Sequence, residues 1–151
     1  MSLIGKLVSE LEINAAAEKF YEIFKDQCFH VPKITPRCIQ QVEIHGTNWD
    51  GHGHGSIKSW YYTIDGKAEV FKERVEFHDD KLLIVLDGVG GDVFKNYKSF
   101  KPAYQFVPKD RNHCQAILSI EYEKHHHGSP DPHKYIDLMI GITNDIGSHI
   151  K

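Results

Sequence analysis

Hydrophobic and polar residues alternate loosely over residues 3–13, the rhythm of a half-buried strand. Asn14 then offers a helix N-cap, and residues 15–24 carry Phe20, Ile23 and Phe24 at i, i+3 and i+4 on one helical face. A short second helix or turn is expected over residues 26–31, stopped by Pro32 and Pro36. From Cys38 to Lys124 the period changes to two. Strands are predicted over residues 42–45, 56–64, 67–77, 81–87, 97–107 and 114–123. The turns between them are a glycine-rich loop after Gly46, Asp65-Gly66, residues 78–80, residues 88–92 and residues 108–112. The last segment returns to a helical period, with Tyr135, Leu138, Met139, Ile142 and Ile146 on one broad stripe. Asp131 is its expected N-cap and Pro132 its first helical residue. Roughly twenty residues at about 1.5 Å each make a rod of roughly 30 Å.

This order of strand, two short helices, six antiparallel strands and one long helix is an α+β layout. One long helix against a strongly curved sheet leaves a question of what fills the space between them. Along the strands, Lys58, Trp60, Tyr62 and Ile64 share one face, as do Phe100, Tyr104 and Phe106, and Ala116, Leu118, Ile120 and Tyr122. With Tyr135, Leu138, Met139 and Ile142 these are the expected lining. Taken by themselves the faces favour a filled core over a ligand pocket. On residues 67–77, one face carries Glu69, Phe71, Glu73, Val75 and Phe77 and the other Val70, Lys72 and Arg74. Neither is purely apolar, so alternation alone does not choose the inward one.

Composition narrows the class. The 151 residues are 40% hydrophobic and 26% charged, enough apolar material for one core, and the chain is read as a single domain over residues 1–151. Lys plus Arg number 18 against 21 Asp plus Glu, so the net charge is -3. A nucleic-acid binder is expected to show a basic excess, and no nucleic-acid partner is expected here. The longest apolar run, residues 82–86, is far short of the ~20 needed to span a bilayer. No basic flank followed by an apolar stretch opens the chain, so no secretory signal is visible. Cys28, Cys38 and Cys114 form no Cys-x-x-Cys pair, which suits a reducing, cytoplasmic setting.

Several segments invite chemistry. Gly51, Gly53 and Gly55 alternate with histidines and can present N–H groups to an anion. The nucleotide-binding pattern, however, needs Gly-Lys-Ser/Thr opening a helix, whereas here Lys58 follows Gly55 by three residues into a strand. A tight strand connection is the plainer reading. Lys58 itself is either a cationic rim group above aromatic walls, suited to an acidic ligand head, or a solvated strand-end lysine. His125-His126-His127 with His133 suggests metal affinity, but adjacent loop residues rarely converge and no Cys or acidic partner stands at zinc spacing. No metal or other cofactor is expected. His149 suits the C-terminal end of a helix dipole. No Gly-x-Ser-x-Gly nucleophile elbow occurs. Lys58, Tyr62 and Glu73 fit an acid/base set or the mixed polarity of a pocket, and no residue is assigned a catalytic role.

Three stretches carry a resemblance: residues 3–12 (LIGKLVSELE), residues 51–58 (GHGHGSIK) and residues 120–124 (IEYEK). Together they resemble the plant Bet v 1 family, in particular its major latex protein branch, over the whole chain. His52 and His54 depart from the usual loop residues. The resemblance implies a helix-grip fold, with a curved seven-stranded antiparallel sheet around a long C-terminal helix, two short helices after the first strand and a large internal cavity. It also implies non-enzymatic carriage of fatty acids, lysolipids, sterols or planar aromatics, a role in plant defence or stress, and a monomer or weak dimer. The alternative within the same fold is a ribonuclease-like or ring-closing condensation enzyme. The ligand-binding residues it leads one to expect are Lys58, Trp60, Tyr62, Phe100, Tyr104, Phe106, Leu118, Ile120, Tyr122, Tyr135, Leu138, Met139 and Ile142, with Gly51, Gly53 and Gly55 as the loop.

Overall fold

The architecture is taken from a computed structural model that describes residues 3–48 and 53–151. Among them are seven strands, β1 (Ile4–Ile13), β2 (Ile39–His45), β3 (Ile57–Ile64), β4 (Lys67–His78), β5 (Leu83–Gly91), β6 (Tyr97–Asp110) and β7 (His113–Lys124). Three α-helices accompany them: α1 (Ala17–Asp26), α2 (Val31–Ile34) and α3 (His133–Ile150). The strands form one antiparallel sheet in the order β1-β7-β6-β5-β4-β3-β2.

Register is set by burial. On β6 and β7 the pairs Phe100↔Tyr122, Tyr104↔Leu118 and Phe106↔Ala116 are all buried. A one-residue slip would turn that whole apolar set to the outer face. The same logic settles β4. Trp60 pairs with Phe71 and both are buried, so Glu69, Phe71, Glu73, Val75 and Phe77 point inward. Register shifts interrupt the ladders at Ile39/Gln41, Lys72/Glu73, Tyr97/Ser99 and Pro108/Asp110, and such bulges bend and twist a sheet. Asp65 and Gly66, at φ of 50° and 74°, make the two-residue hairpin expected there.

Several local expectations are corrected. Asn14 does not cap α1; Ala16 occupies that position without a side-chain cap. The second helix lies at Val31–Ile34, after a 3-10 turn at Cys28–His30, and Pro32 sits in its first turn instead of ending it. That placement is allowed because the first helical N–H groups have no intrahelical partner. Strand β2 starts at Ile39, three residues earlier than expected. Strand β5 runs through the glycines to Gly91, and the turn falls on Asp92–Lys95. Helix α3 opens at His133 with Pro132 as its cap. The Asp131 carboxylate accepts from the Tyr122 hydroxyl at 3.0 Å and pairs with Lys124 at 2.8 Å, so it anchors the entry loop to β7.

The core divides in two. Phe20 and Phe24 of α1 stack on Phe106 and Tyr104 of β6, with ring centroids 4.8 Å apart in the Phe20–Phe106 and Phe24–Tyr104 pairs. Buried Ile13 and Ile146 belong to the same apolar cluster. On the other side of Tyr104 the side chains of sheet and α3 do not meet completely.

Candidate functional site: a chamber between sheet and helix

A cavity of about 80 Å³ lies in that gap, walled by β2 to β7, α1, α2 and α3. Period two on β3 and β6 supplies Trp60 and Tyr62, and Phe100, Pro102 and Tyr104; spacing i, i+3, i+4, i+7 on α3 supplies Tyr135, Leu138, Met139 and Ile142. With Ile120, all of these except Pro102 were anticipated from the sequence. Four other anticipated residues lie elsewhere. Phe106 is consumed by its stack on Phe20, and Leu118 is wholly buried in the core. Tyr122 packs edge-on against Tyr97 and bonds Asp131. Lys58 is buried, with Nζ donating to Ser56 Oγ at 2.8 Å, and is no rim group.

The wall also includes residues that were not anticipated as lining: Phe24, Val31, Ile39, Phe71, Leu86 and Val93. Phe24 and Phe71 were visible as apolar, but their partners were not. Val31 and Ile39 come from segments whose boundaries were displaced. Leu86 and Val93 flank a stretch expected to turn.

Two carboxylates face inward from β4. Glu69 Oε1 accepts hydroxyl protons from Tyr62 at 2.9 Å and Tyr135 at 2.8 Å. Burial and this carboxylate push both phenols well above their ordinary range. Farther along, Glu73 Oε1 accepts from Trp60 Nε1 at 2.9 Å. Its Oε2 has no hydrogen-bond partner among the described residues. Desolvation raises the Glu73 carboxyl to about 7, against the opposing pull of the Trp60 N–H and the Lys58 ammonium. Burial likewise pushes the nearby Cys28 thiol to about 11, which makes it a poor nucleophile at neutral pH.

Of the glycine-rich loop, Gly51 lies outside the described residues. Gly55 N donates to Val75 O at 2.7 Å and Ser56 N to Gly53 O at 3.1 Å. Both N–H groups are thereby turned to the protein, not to an anion. His54 Nδ1 accepts from Phe77 N at 3.0 Å, stitching the loop to β4. In the histidine segment, His125 Nε2 lies 2.7 Å from Phe94 O and His126 Nδ1 accepts from Gly128 N. Among the described residues no group of three His, Cys, Asp or Glu is arranged to hold a metal ion.

A second depression, about 270 Å³, crosses the outer face of β1, β7, β6 and β5, where Val8, Val85 and Ile117 lie among Lys6, Lys101 and Glu121. It is larger but mixed in polarity, and the inward aromatic faces do not reach it.

The chain that builds this chamber matches one family model across residues 2–151: Pathogenesis-related protein Bet v 1 family. The chain belongs to the Bet v 1 family. It is 37% identical over 151 residues to Arabidopsis thaliana MLP-like protein 31, covering 99% of this chain and 87% of that protein. It is 34% identical over 152 residues to Papaver somniferum Major latex protein 146, covering 98% and 92%. The crystal structure of major latex-like protein 151 from Panax ginseng superposes with a TM-score of 0.91 at 31% identity, covering 98% of each chain. Norcoclaurine synthase of Thalictrum flavum, at 18% identity and a TM-score of 0.74, shares the fold. In one respect this Bet v 1 member departs from what the resemblance implies. Its chamber is small, against the ~300–1,000 Å³ of a pocket for a drug-sized ligand. Bulky Trp60, Phe71, Phe100 and Tyr135 fill much of the space between sheet and helix.

Proposed function

We propose that this protein binds and carries hydrophobic or amphipathic small molecules in the chamber between the sheet and α3, without transforming them. The observation that carries the reading is the apolar gap itself, lined from both sheet and helix in an otherwise packed interior. Among the ligands the resemblance implies, planar aromatics suit the aromatic walls best; fatty acids, lysolipids and sterols require α3 and the Leu138–Met139 stretch to move outward. Met139 favours such adjustment, since its thioether adapts to varied neighbours. A ligand burying ~200 Å² of apolar surface gains roughly 5 kcal/mol before association costs, which corresponds to carriage in the range of about 0.2 mM and weaker.

Membership in a family described as pathogenesis-related supports a part in plant defence or stress. Three buried cysteines, none in a disulfide among the described residues, support a reducing, cytoplasmic setting. No helix among the described residues is long and apolar enough to cross a membrane. A carrier fits better than a catalyst because the Tyr62 and Tyr135 hydroxyls are bound to Glu69 and Lys58 stands off the chamber wall.

The test is displacement of a naphthalene-sulfonate probe by small aromatics. Binding by the native protein and its loss in Leu138→Trp, which fills the chamber, are expected. Absence of probe binding by the folded native protein, or full binding by the filled variant, overturns the reading.

A further inference from the structure

The solvent face of an antiparallel sheet is ordinarily polar. On β4 it is, with Lys72, Arg74 and Glu76 alternating against the inward set. Across β5, β6, β7 and β1 it is not. The register lines up Val85, Ala103, Ser119 and Val8 as one row over the four strands. Leu83, Gln105 and Ile117 make the next row, with Glu10 following on β1. Val8 is 52% exposed, and these apolar side chains form the floor of the outer depression of about 270 Å³. On the other side of the valine row stand Lys6, Glu121 and Lys101. Two ammonium groups share one carboxylate there. Lys6 Nζ lies 3.8 Å from Glu121, and the half-buried Lys101 makes no ion pair among the described residues. Beyond the opposite side, the Glu10 carboxylate accepts from Gln115 at 3.1 Å. The depression is therefore polarised, with excess positive charge along one side and an acid past the other.

We propose that this depression is a second binding site, outside the chamber, for a single amphiphile with an alkyl chain and an anionic head. The chain lies on Val8, Val85 and Ile117, and the head beside Lys101. The alkyl chain follows from the floor, whose apolar members are all aliphatic. A chain gains burial there, whereas a ring finds no aromatic partner. The sign of the head follows from the unpaired ammonium. The site is independent of the carrier reading, because the chamber is built from the opposite faces of the same strands.

Methyl NMR reads the two sites separately. Val8, Val85 and Ile117 report the depression, and Ile120, Leu138 and Ile142 the chamber. Titration of the native protein with laurate, below its micelle concentration, is expected to shift the first set. Dodecyltrimethylammonium, the same length of chain with a cationic head, should bind there at least about five-fold more weakly. Lys101→Glu should weaken laurate at the depression by about five-fold, as expected when one partly exposed ion pair becomes a repulsion. Its chamber methyls should keep their native positions, which shows that the variant is folded. Absence of laurate shifts at Val8, Val85 and Ile117, equal binding of the two amphiphiles there, or undiminished binding by Lys101→Glu overturns the assignment. The carrier reading, tested by the naphthalene-sulfonate probe, stands in each of these cases. Shifts of Val8 and Val85 that grow with protein concentration without laurate, together with a dimer in sedimentation, assign the face to a second copy and overturn the proposal as well.

Discussion

Tyr135 of α3 donates its hydroxyl proton to Glu69 of β4 at 2.8 Å, onto the same oxygen that Tyr62 uses. This joins the long helix to the sheet across one end of the chamber. Tyr135→Phe keeps the ring and removes the bond. A single such bond contributes about 1 kcal/mol, so a fall in Tm of roughly 2–4 °C is expected by calorimetry. Stopped-flow mixing should also show the probe entering faster, because α3 is held less firmly. An unchanged entry rate would mean that ligands pass elsewhere.

Phe106 and Leu138 were both anticipated as lining, and they should now behave differently. Phe106 is fully buried against Phe20, so Phe106→Ala should cost about 3–5 kcal/mol in urea unfolding. Leu138 is half-buried on the chamber wall. Leu138→Ala should cost less than about 2 kcal/mol and strengthen binding of naphthalene-sized ligands by enlarging the space. Equal destabilisation by the two substitutions would show that Leu138 is ordinary core.

Much of this was legible because period two and period 3.6 are properties of the backbone. The inward faces of β3, β6 and β7 and the stripe on α3 follow from alternation alone. The inward face of β4 did not, because Glu69 and Glu73 break the apolar pattern, and only pairing of Phe71 with Trp60 resolves it. Lys58 misled for the converse reason: a lysine at a strand end is ordinarily solvated, and its burial depends on neighbours far along the chain. Caps failed at Asn14 and Asp131, where good capping residues were recruited to no cap or to Tyr122 and Lys124. The chamber's volume is a residue of packing among many side chains, and no local pattern encodes it.

Asp145 of α3 accepts from Thr35 Oγ1 at 2.6 Å and from Arg37 at 2.9 Å and 3.0 Å. This clamps the α2–β2 junction to the helix. Partial burial raises its carboxyl, but the Arg37 and Thr35 hydrogen bonds outweigh that and hold it below the ordinary value. Because Thr35 is wholly buried, Asp145→Ala strands its hydroxyl, at an expected cost of about 1–3 kcal/mol. Thr35→Val with Asp145→Ala should cost less than the two single changes added together, measured by a double-mutant cycle in urea. Strict additivity would dissolve the clamp.

Glu73 should set the pH dependence of stability in the neutral range. Its folded value of about 7 lies above the ordinary 4.5, so the folded chain keeps a proton that the unfolded chain releases. The stabilisation is complete below the lower value, declines as pH rises between the two, and is gone above the upper one. A gap of this size corresponds to roughly 3 kcal/mol. The groups around it are the Lys58 ammonium, which favours ionisation, the Trp60 N–H, which does the same, and Cys28, neutral throughout this range. The lowered aspartates Asp79, Asp110, Asp131 and Asp145 act with the opposite sign but at pH values below this window. Urea unfolding should therefore show the native protein losing stability between about pH 4.5 and about pH 7. Glu73→Gln carries no such proton, and its curve over the same interval should be nearly flat. It should also be the more stable of the two at the upper end, since no buried carboxyl there has to ionise. A native curve that stays level across the interval would show that water or a neighbouring donor already satisfies Oε2.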